Sequence, residues 1–190
     1  MNTFTRTIFA VGLFFSVSFQ TTAQTEIQGY EIGIDGVVSA SNLGGSFGAG
    51  LKFGLELNDN FILGPSVRWQ RTWTNNIGQA TGTNANFNIW GGGVWAHYRA
   101  GQYLFAGAEF EMLKTPFNFT NFGEPNWVPT LLLGGGFSHE FDEKFRINGG
   151  MYYDVIDHVN SPLRQGYFMR RENGSLIPVL YRIALFIPLG

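Results

Sequence analysis

A short polar stretch near the end of the seventh apolar-alternating segment carries the residues best suited to catalysis. Asp154, His158 and Ser161 follow one another closely there. A serine hydroxyl can act as a nucleophile when a histidine takes its proton and an aspartate orients the histidine ring. A spacing of four residues puts Asp154 and His158 on one face of a strand, and Ser161 could fold back towards them. The stretch predicts a candidate Ser-His-Asp site, although polar loop bases often contain these residue types.

The remaining motifs predict neither a metal site nor a cofactor. His97 and His139 lie in different segments, and a site built from them needs a third ligand that the sequence does not indicate. There is no cysteine, so thiolate ligands and disulfides are excluded. The glycine triplets at 91–93 and 134–136 lack the Gly-Lys-Ser/Thr ending of a phosphate loop. They are more typical of strands that bend or pack closely.

A second group of candidate residues lies in the longest connection, at 158–175. Its basic and aromatic side chains are Arg164, Tyr167, Arg170 and Arg171. Guanidinium groups bind phosphates and carboxylates, and aromatic rings often anchor protein interfaces. We therefore interpret these four as a candidate binding surface, with a solvated basic loop as the alternative. The aromatic-rich stretch at 118–127 is a second candidate contact surface.

The elements that position these residues are strands. Alternation of apolar and polar residues, bounded by turn residues, predicts eight of them, at 27–40, 46–57, 61–74, 85–99, 103–114, 127–141, 145–157 and 176–189. Short connections at 58–60, 100–102 and 142–144 alternate with longer ones at 41–45, 75–84, 115–126 and 158–175. This alternation puts the short turns at one end of an antiparallel barrel and the longer loops at the other.

The two faces of these strands differ sharply in polarity. In the second segment Phe47, Leu51 and Phe53 share one face, and Lys52 and Glu56 share the other. Charged residues make up only 14% of the chain, against roughly 25% in soluble domains, so they cannot cover an outer surface in water. We expect the apolar face to point outward and the polar face inward, with the following inward charges: Glu31, Asp35, Glu56, Glu109, Glu111, Asp154, Lys52, Arg68, Arg146 and Arg182.

The first residues predict export. Arg6 precedes an apolar run at 8–19, and the small residues Thr21 and Ala23 follow. This order is typical of a cleavable signal peptide. We expect a signal peptide at 1–23 and one barrel domain at 24–190. The near-neutral charge balance provides no basic face for nucleic acid.

Together these features resemble the small eight-stranded bacterial outer-membrane barrels, the group that includes the OmpA transmembrane domain and OmpX. The resemblance implies an all-β, eight-stranded antiparallel up-and-down transmembrane β-barrel in the bacterial outer membrane. It implies contact with outer-membrane lipid and lipopolysaccharide, and with an extracellular protein partner through the loops. Some similar barrels modify lipid A with a Ser and a His near the external membrane face, so a deacylase-like enzyme using His158, Ser161 and Asp154 is an alternative.

We therefore expect a barrel with a structural or surface-binding role, and weigh three other classes against it. The lipid A-modifying enzyme shares the same fold. A narrow pore is disfavoured because the lumen of eight strands is filled by side chains. A soluble lipocalin-like carrier requires an apolar interior, which the charged inward face does not predict.

Overall fold

The computed structural model describes residues 27–41, 44–74, 85–116, 126–142 and 144–189. The predicted signal peptide at 1–23 lies outside the described residues. So do the connection at 75–84 and all but the last two residues of the aromatic-rich stretch at 118–127. Among the described residues, we find no helix with the length and apolar character required for a membrane span.

The described residues form a closed antiparallel barrel of eight strands. In chain order they are β1 (Gly29–Ser41), β2 (Gly44–Asn58), β3 (Phe61–Thr74), β4 (Ala85–Ala100), β5 (Leu104–Thr115), β6 (Asn126–Phe141), β7 (Phe145–Asp154) and β10 (Val179–Pro188). Consecutive strands pair with each other, and β10 closes the barrel against β1. Two short strands, β8 (Met169–Arg170) and β9 (Leu176–Ile177), form a hairpin beside it. The predicted eight-stranded antiparallel barrel is confirmed.

The period-2 pattern determines which side chains enter the lumen. On β2 the outward residues Leu51 and Phe53 are exposed by 51% and 39%, whereas Lys52 between them is 2% exposed. The same alternation buries nine of the ten predicted inward charges, and Glu56 is a quarter exposed near the short-turn end. The predicted faces are therefore confirmed on these strands.

The glycine triplets fix the register of β4 and β6, which their sequences leave ambiguous. The alternation of burial on either side puts Gly91 and Gly93 on the inward face of β4, and Gly134 and Gly136 on the inward face of β6. A Cβ on Gly93 would collide with the backbone carbonyl of Phe110 on β5. The triplets thus let neighbouring strands approach closely, as the sequence predicted.

Three predictions, one connection length and two strand ends, differ from the structure by three residues each. The connection between β1 and β2 spans only residues 42–43, whereas 41–45 was predicted. Only the other three connections at that end of the barrel are therefore long. The seventh strand ends at Asp154 rather than 157, because the Asp154 carboxylate accepts the N–H groups of Ile156 and Asp157 at 3.2 Å and turns the chain. Asp154 and His158 therefore do not share a strand face.

The last barrel strand begins at Val179 rather than 176. Pro178 precedes it and has no N–H to donate to a strand ladder. Its carbonyl accepts the N–H of Asp154 at 2.8 Å. The two residues before the proline pair instead with Met169–Arg170 to form the β8–β9 hairpin.

Candidate functional site

The centre of the lumen holds a cluster of buried ion pairs, here called the central cluster. Its members are Asp35, Glu109, Glu111, Lys52, Arg68 and Arg182, each at most 4% exposed. Arg68 donates from both terminal nitrogens to Asp35 at 3.0 Å, and from Nε to Glu111 at 2.9 Å. Lys52 and Arg182 both bind Glu109. Three carboxylates face three cations, so each buried charge has a partner of opposite sign.

A second set of ion pairs lies towards the short-turn end. Glu31 accepts from Arg146 at 2.9 Å and from Arg99 at 3.3 Å, and Arg99 also reaches Glu56 at 3.2 Å. An apolar layer separates this set from the central cluster; its buried members are Ile62, Trp95, Ala184 and Phe186. The lumen is thus filled in alternating apolar and charged layers, as expected for eight strands.

His97 and Tyr152 join the central cluster, and sequence reasoning missed both roles. The His97 Nε2 and the Tyr152 hydroxyl are 3.1 Å apart, and Glu109 lies 3.7 Å from the same nitrogen. Both side chains are 2% exposed, so they are shielded from a water-borne substrate. Across the described ranges, no three His, Cys, Asp or Glu side chains come together in a way that could hold a metal ion.

The connection after β7 folds into the long-loop end of the barrel and plugs it. It forms a 3-10 turn at Pro162–Gly166. Leu163 within this turn and Tyr167 directly after it are 4% and 6% exposed. Both pack in a cluster with lumen side chains that include Ile89, Leu132 and Leu180. The Ser39 hydroxyl on β1 donates to the backbone carbonyl of Gln165 at 3.0 Å. We call residues 161–167 the plug.

A buried hydrogen bond holds the plug to the barrel wall. The Tyr167 hydroxyl donates to Asp154 Oδ2 at 2.9 Å. Burial, reinforced by the Asp154 carboxylate, raises the pKa of Tyr167 above its ordinary value. The hydroxyl therefore stays protonated and remains a donor.

The three catalytic candidates are used to build this turn. The Ser161 hydroxyl accepts the N–H of Leu163 at 3.3 Å, as a cap of the 3-10 turn. His158 Nδ1 accepts the N–H of Asn160 at 3.1 Å. Asp154 binds Tyr167 and two backbone amides. These three described side chains make no hydrogen bond to one another that would form a Ser-His-Asp relay.

The binding candidates separate into two groups. Tyr167 lies in the plug, and Arg164 pairs with Asp157 at 2.7 Å. Arg170 and Arg171 are exposed on the β8–β9 hairpin, where Arg170 donates to the carbonyl of Gly174 at 3.1 Å. Of the four, Arg170 and Arg171 are therefore exposed on the hairpin, and the Arg164 side chain is 33% exposed.

Replacing Tyr167 by Phe is expected to loosen the plug. The change removes the hydroxyl that binds Asp154 and leaves that carboxylate with its backbone donors alone, which should cost about 1–3 kcal/mol of unfolding free energy. Urea unfolding of the refolded barrel in detergent measures the loss. Tyr181→Phe is the matched control, because Tyr181 is 58% exposed and stacks on Phe168 outside the lumen. Equal stability of both variants would contradict a holding role for the Tyr167 hydroxyl.

The sequence was compared with known proteins. No protein-family model matches it, and no curated protein does. A solved structure that matches is that of the outer membrane protein Ail from Yersinia pestis in a phospholipid bilayer nanodisc. The sequence identity is 14%, the match covers 85% of this chain and 100% of that chain, and the TM-score is 0.45.

Proposed function

We propose that this protein is an outer-membrane barrel, sealed against permeation, with a structural or surface-binding role. The observation that carries the proposal is the polarity of the two barrel faces. Large apolar residues are exposed around the outside, as in Val67 at 59%, Phe137 at 73% and Ile183 at 65%, while the charges are inside. Soluble monomers rarely expose a continuous apolar surface of this extent. Strands of 10 to 16 residues match or exceed the ~9–11 that cross a bilayer.

Aromatic side chains at the two ends of the strands also support a barrel that spans a membrane. At the short-turn end Phe141 stacks on Phe145 with 4.8 Å between ring centroids, and Tyr98 is half exposed. At the other end Trp90 packs edge-on against Trp127 at 5.3 Å. Aromatic girdles at both interfaces are typical of membrane barrels.

The filled lumen disfavours the two transport alternatives. The central cluster and the plug occupy the space that a pore would need. A lipocalin-like carrier needs an apolar cavity, whereas Asp35 and Arg68 meet in the middle of this one. A role at the surface is therefore favoured over a role in transport.

Among the described residues, the β8–β9 hairpin carries two adjacent exposed arginines in the connection at the long-loop end of the barrel. Arg170 and Arg171 lie on it beside Phe168 and Met169, which are 42% and 44% exposed. Guanidinium groups next to apolar side chains suit an anionic surface such as lipopolysaccharide, or an acidic protein partner. We propose this hairpin as the surface-binding element.

Cell fractionation combined with a heat-modifiability gel tests the proposed location. We expect the expressed protein in the outer-membrane fraction, and faster migration unheated than boiled, because a closed barrel stays compact in detergent. Recovery in the aqueous fraction without a mobility shift would contradict the membrane assignment. Recovery in the membrane with no shift would contradict a closed, detergent-resistant barrel.

A further inference from the structure

The outward face of the barrel carries two charged side chains among its described strand residues, and both are cations. Arg71 lies on β3 and Lys114 on β5, each near the long-loop end of its strand. Neither is within ion-pair distance of a carboxylate in the described part of the chain. The Lys114 ammonium instead lies 5.4 Å from the centroid of the Trp90 ring. Every other charge on the described barrel strands points inward or lies at the short-turn end.

The two cations flank a groove on the same outward face, here called the outer groove. Cross-strand pairing sets Ala49, Trp69, Trp90, Lys114 and Trp127 in one row across β2 to β6. The next outward-facing row towards the short-turn end contains Val67 and Gly92. Small residues beside three half-exposed tryptophans leave a depression of about 800 Å³, almost entirely apolar in its lining. This volume lies within the ~300–1,000 Å³ typical of ligand sites.

The position of Arg71 relative to the groove gives the site a polar upper edge. Arg71 pairs across the strands with Asn88, one row closer to the long-loop end than the Trp69–Trp90 pair. Lys114 pairs with Trp90 in the tryptophan row itself. Neighbouring strands lie about 4.8 Å apart, so the two cations are two strand spacings apart and straddle β4. An apolar groove thus has a pair of cations beside it, near the long-loop ends of β3 and β5.

The groove and the cations would contribute differently to the binding of a lipid. An acyl chain gains little hydrophobic free energy by leaving other chains for an apolar groove, because both environments are equally dry. The groove therefore supplies shape and dispersion contacts rather than a driving force. The cations supply the selectivity, because an anionic phosphate is attracted to them and a zwitterionic headgroup much less so.

We propose that the outer groove binds a membrane lipid with a phosphate monoester headgroup. One acyl chain lies against Trp69, Trp90 and Gly92, and the phosphate contacts Arg71 and Lys114. This proposal rests on the membrane location proposed above. It is a site on the barrel wall, separate from the β8–β9 hairpin and from the plug.

Quenching of tryptophan fluorescence by brominated lipids tests this site on the full barrel. The refolded protein is inserted into bilayers of zwitterionic phosphatidylcholine that contain increasing fractions of brominated phosphatidic acid or of brominated phosphatidylcholine. Trp69, Trp90 and Trp127 report contact with bromine, whereas Trp95 is 2% exposed inside the lumen. We expect the wild type to prefer brominated phosphatidic acid about five- to tenfold over brominated phosphatidylcholine at low salt.

Substitution of the two cations should remove that preference. Arg71→Gln with Lys114→Gln is expected to bring the ratio of the two lipids close to one. Lys144→Gln is the control, since it removes an exposed cation at the short-turn end, away from the groove and the hairpin, and should leave the ratio unchanged. If the wild type shows no preference, or if the control loses it as fully as the double variant, the site is wrong.

Filling the groove tests the acyl-chain contact separately. Ala49→Leu adds bulk beside Trp69 without altering any charge, and is expected to lower quenching by brominated phosphatidic acid while keeping the far-ultraviolet circular dichroism of a barrel. Unchanged quenching would overturn the placement of the chain in the groove. If no brominated lipid quenches the wild type at all, the membrane location fails instead, so the two failures are distinguishable.

Discussion

Replacing Arg182 by Met is expected to destabilise the barrel by about 3–5 kcal/mol, the usual cost of removing one partner from a buried ion pair. Arg182 donates to Glu109 and, at 3.4 Å, to Glu111, and it is 4% exposed. The methionine fills much of the same space but leaves the central cluster with three carboxylates and two cations. The uncompensated carboxylate then lies among side chains that are at most 4% exposed.

The double variant Arg182→Met with Glu109→Gln should recover most of that loss. It restores an equal number of opposite charges, because Asp35 and Glu111 then face Lys52 and Arg68. Replacing a complete buried pair by neutral residues is often close to neutral. The double-mutant cycle, completed by Glu109→Gln alone, therefore separates the cost of an unpaired charge from the contribution of the pair itself.

Equilibrium unfolding in urea, followed by tryptophan fluorescence in lipid vesicles, measures all three variants. Arg170→Met is the control for loss of an arginine without burial, and should change the unfolding free energy by about 0.5 kcal/mol or less. A single Arg182→Met variant as stable as this control would refute the central cluster as a network of mutually dependent charges. A double variant no more stable than the single would show that the loss does not come from the unpaired carboxylate.

Alternation alone predicted most of the charges that enter the lumen, with Arg99 missed, but it could not predict how they pair. Asp35 and Lys52 fall on the inward face of regular strands, so their burial follows from a period of two residues. The partnership of Arg68 with Glu111 joins residues 43 positions apart on strands that are not neighbours. Such a pair depends on the closure and stagger of the barrel, which no local pattern encodes.

The residues of the plug were harder to place from the sequence than those of the barrel strands. Tyr167 and Arg164 lie in a connection without periodicity, so a basic, aromatic loop was interpreted as a surface. Whether such a loop turns inward depends on the fit of Leu163 and Tyr167 among side chains from distant strands, Ile89 and Leu132 among them. The end of β7 was equally hard to predict, because the Asp154 carboxylate ends the strand by accepting two backbone N–H groups.

Gly93→Ala is expected to be strongly destabilising and to leave little folded barrel. A Cβ at this position would collide with the backbone carbonyl of Phe110 and lie 2.8 Å from the Cα of Glu111. Both obstacles are backbone atoms of β5, so no side-chain rotation relieves the contact. Strands β4 and β5 must separate, and the cost should exceed the ~1–3 kcal/mol of ordinary overpacking in a core.

The same substitution also displaces the central cluster, because Gly93 is paired directly with Glu111. Moving β5 away from β4 moves the Glu111 carboxylate away from Arg68, which it binds at 2.9 Å. The effect of one methyl group is thus a steric clash combined with a partly unpaired buried charge. We expect a strongly reduced heat-modifiable fraction after refolding.

Gly149→Ala on β7 provides the matched comparison for that effect. It introduces the same methyl group into another barrel strand, at a position where a Cβ meets nothing within 4 Å. Both substitutions reduce the entropy of the unfolded chain equally, so a difference between them reports the native contact alone. We expect Gly149→Ala to refold like the wild type. Equal folded fractions for the two variants would mean that the barrel tolerates separation of β4 from β5, and that the glycine triplet is not required for their close approach.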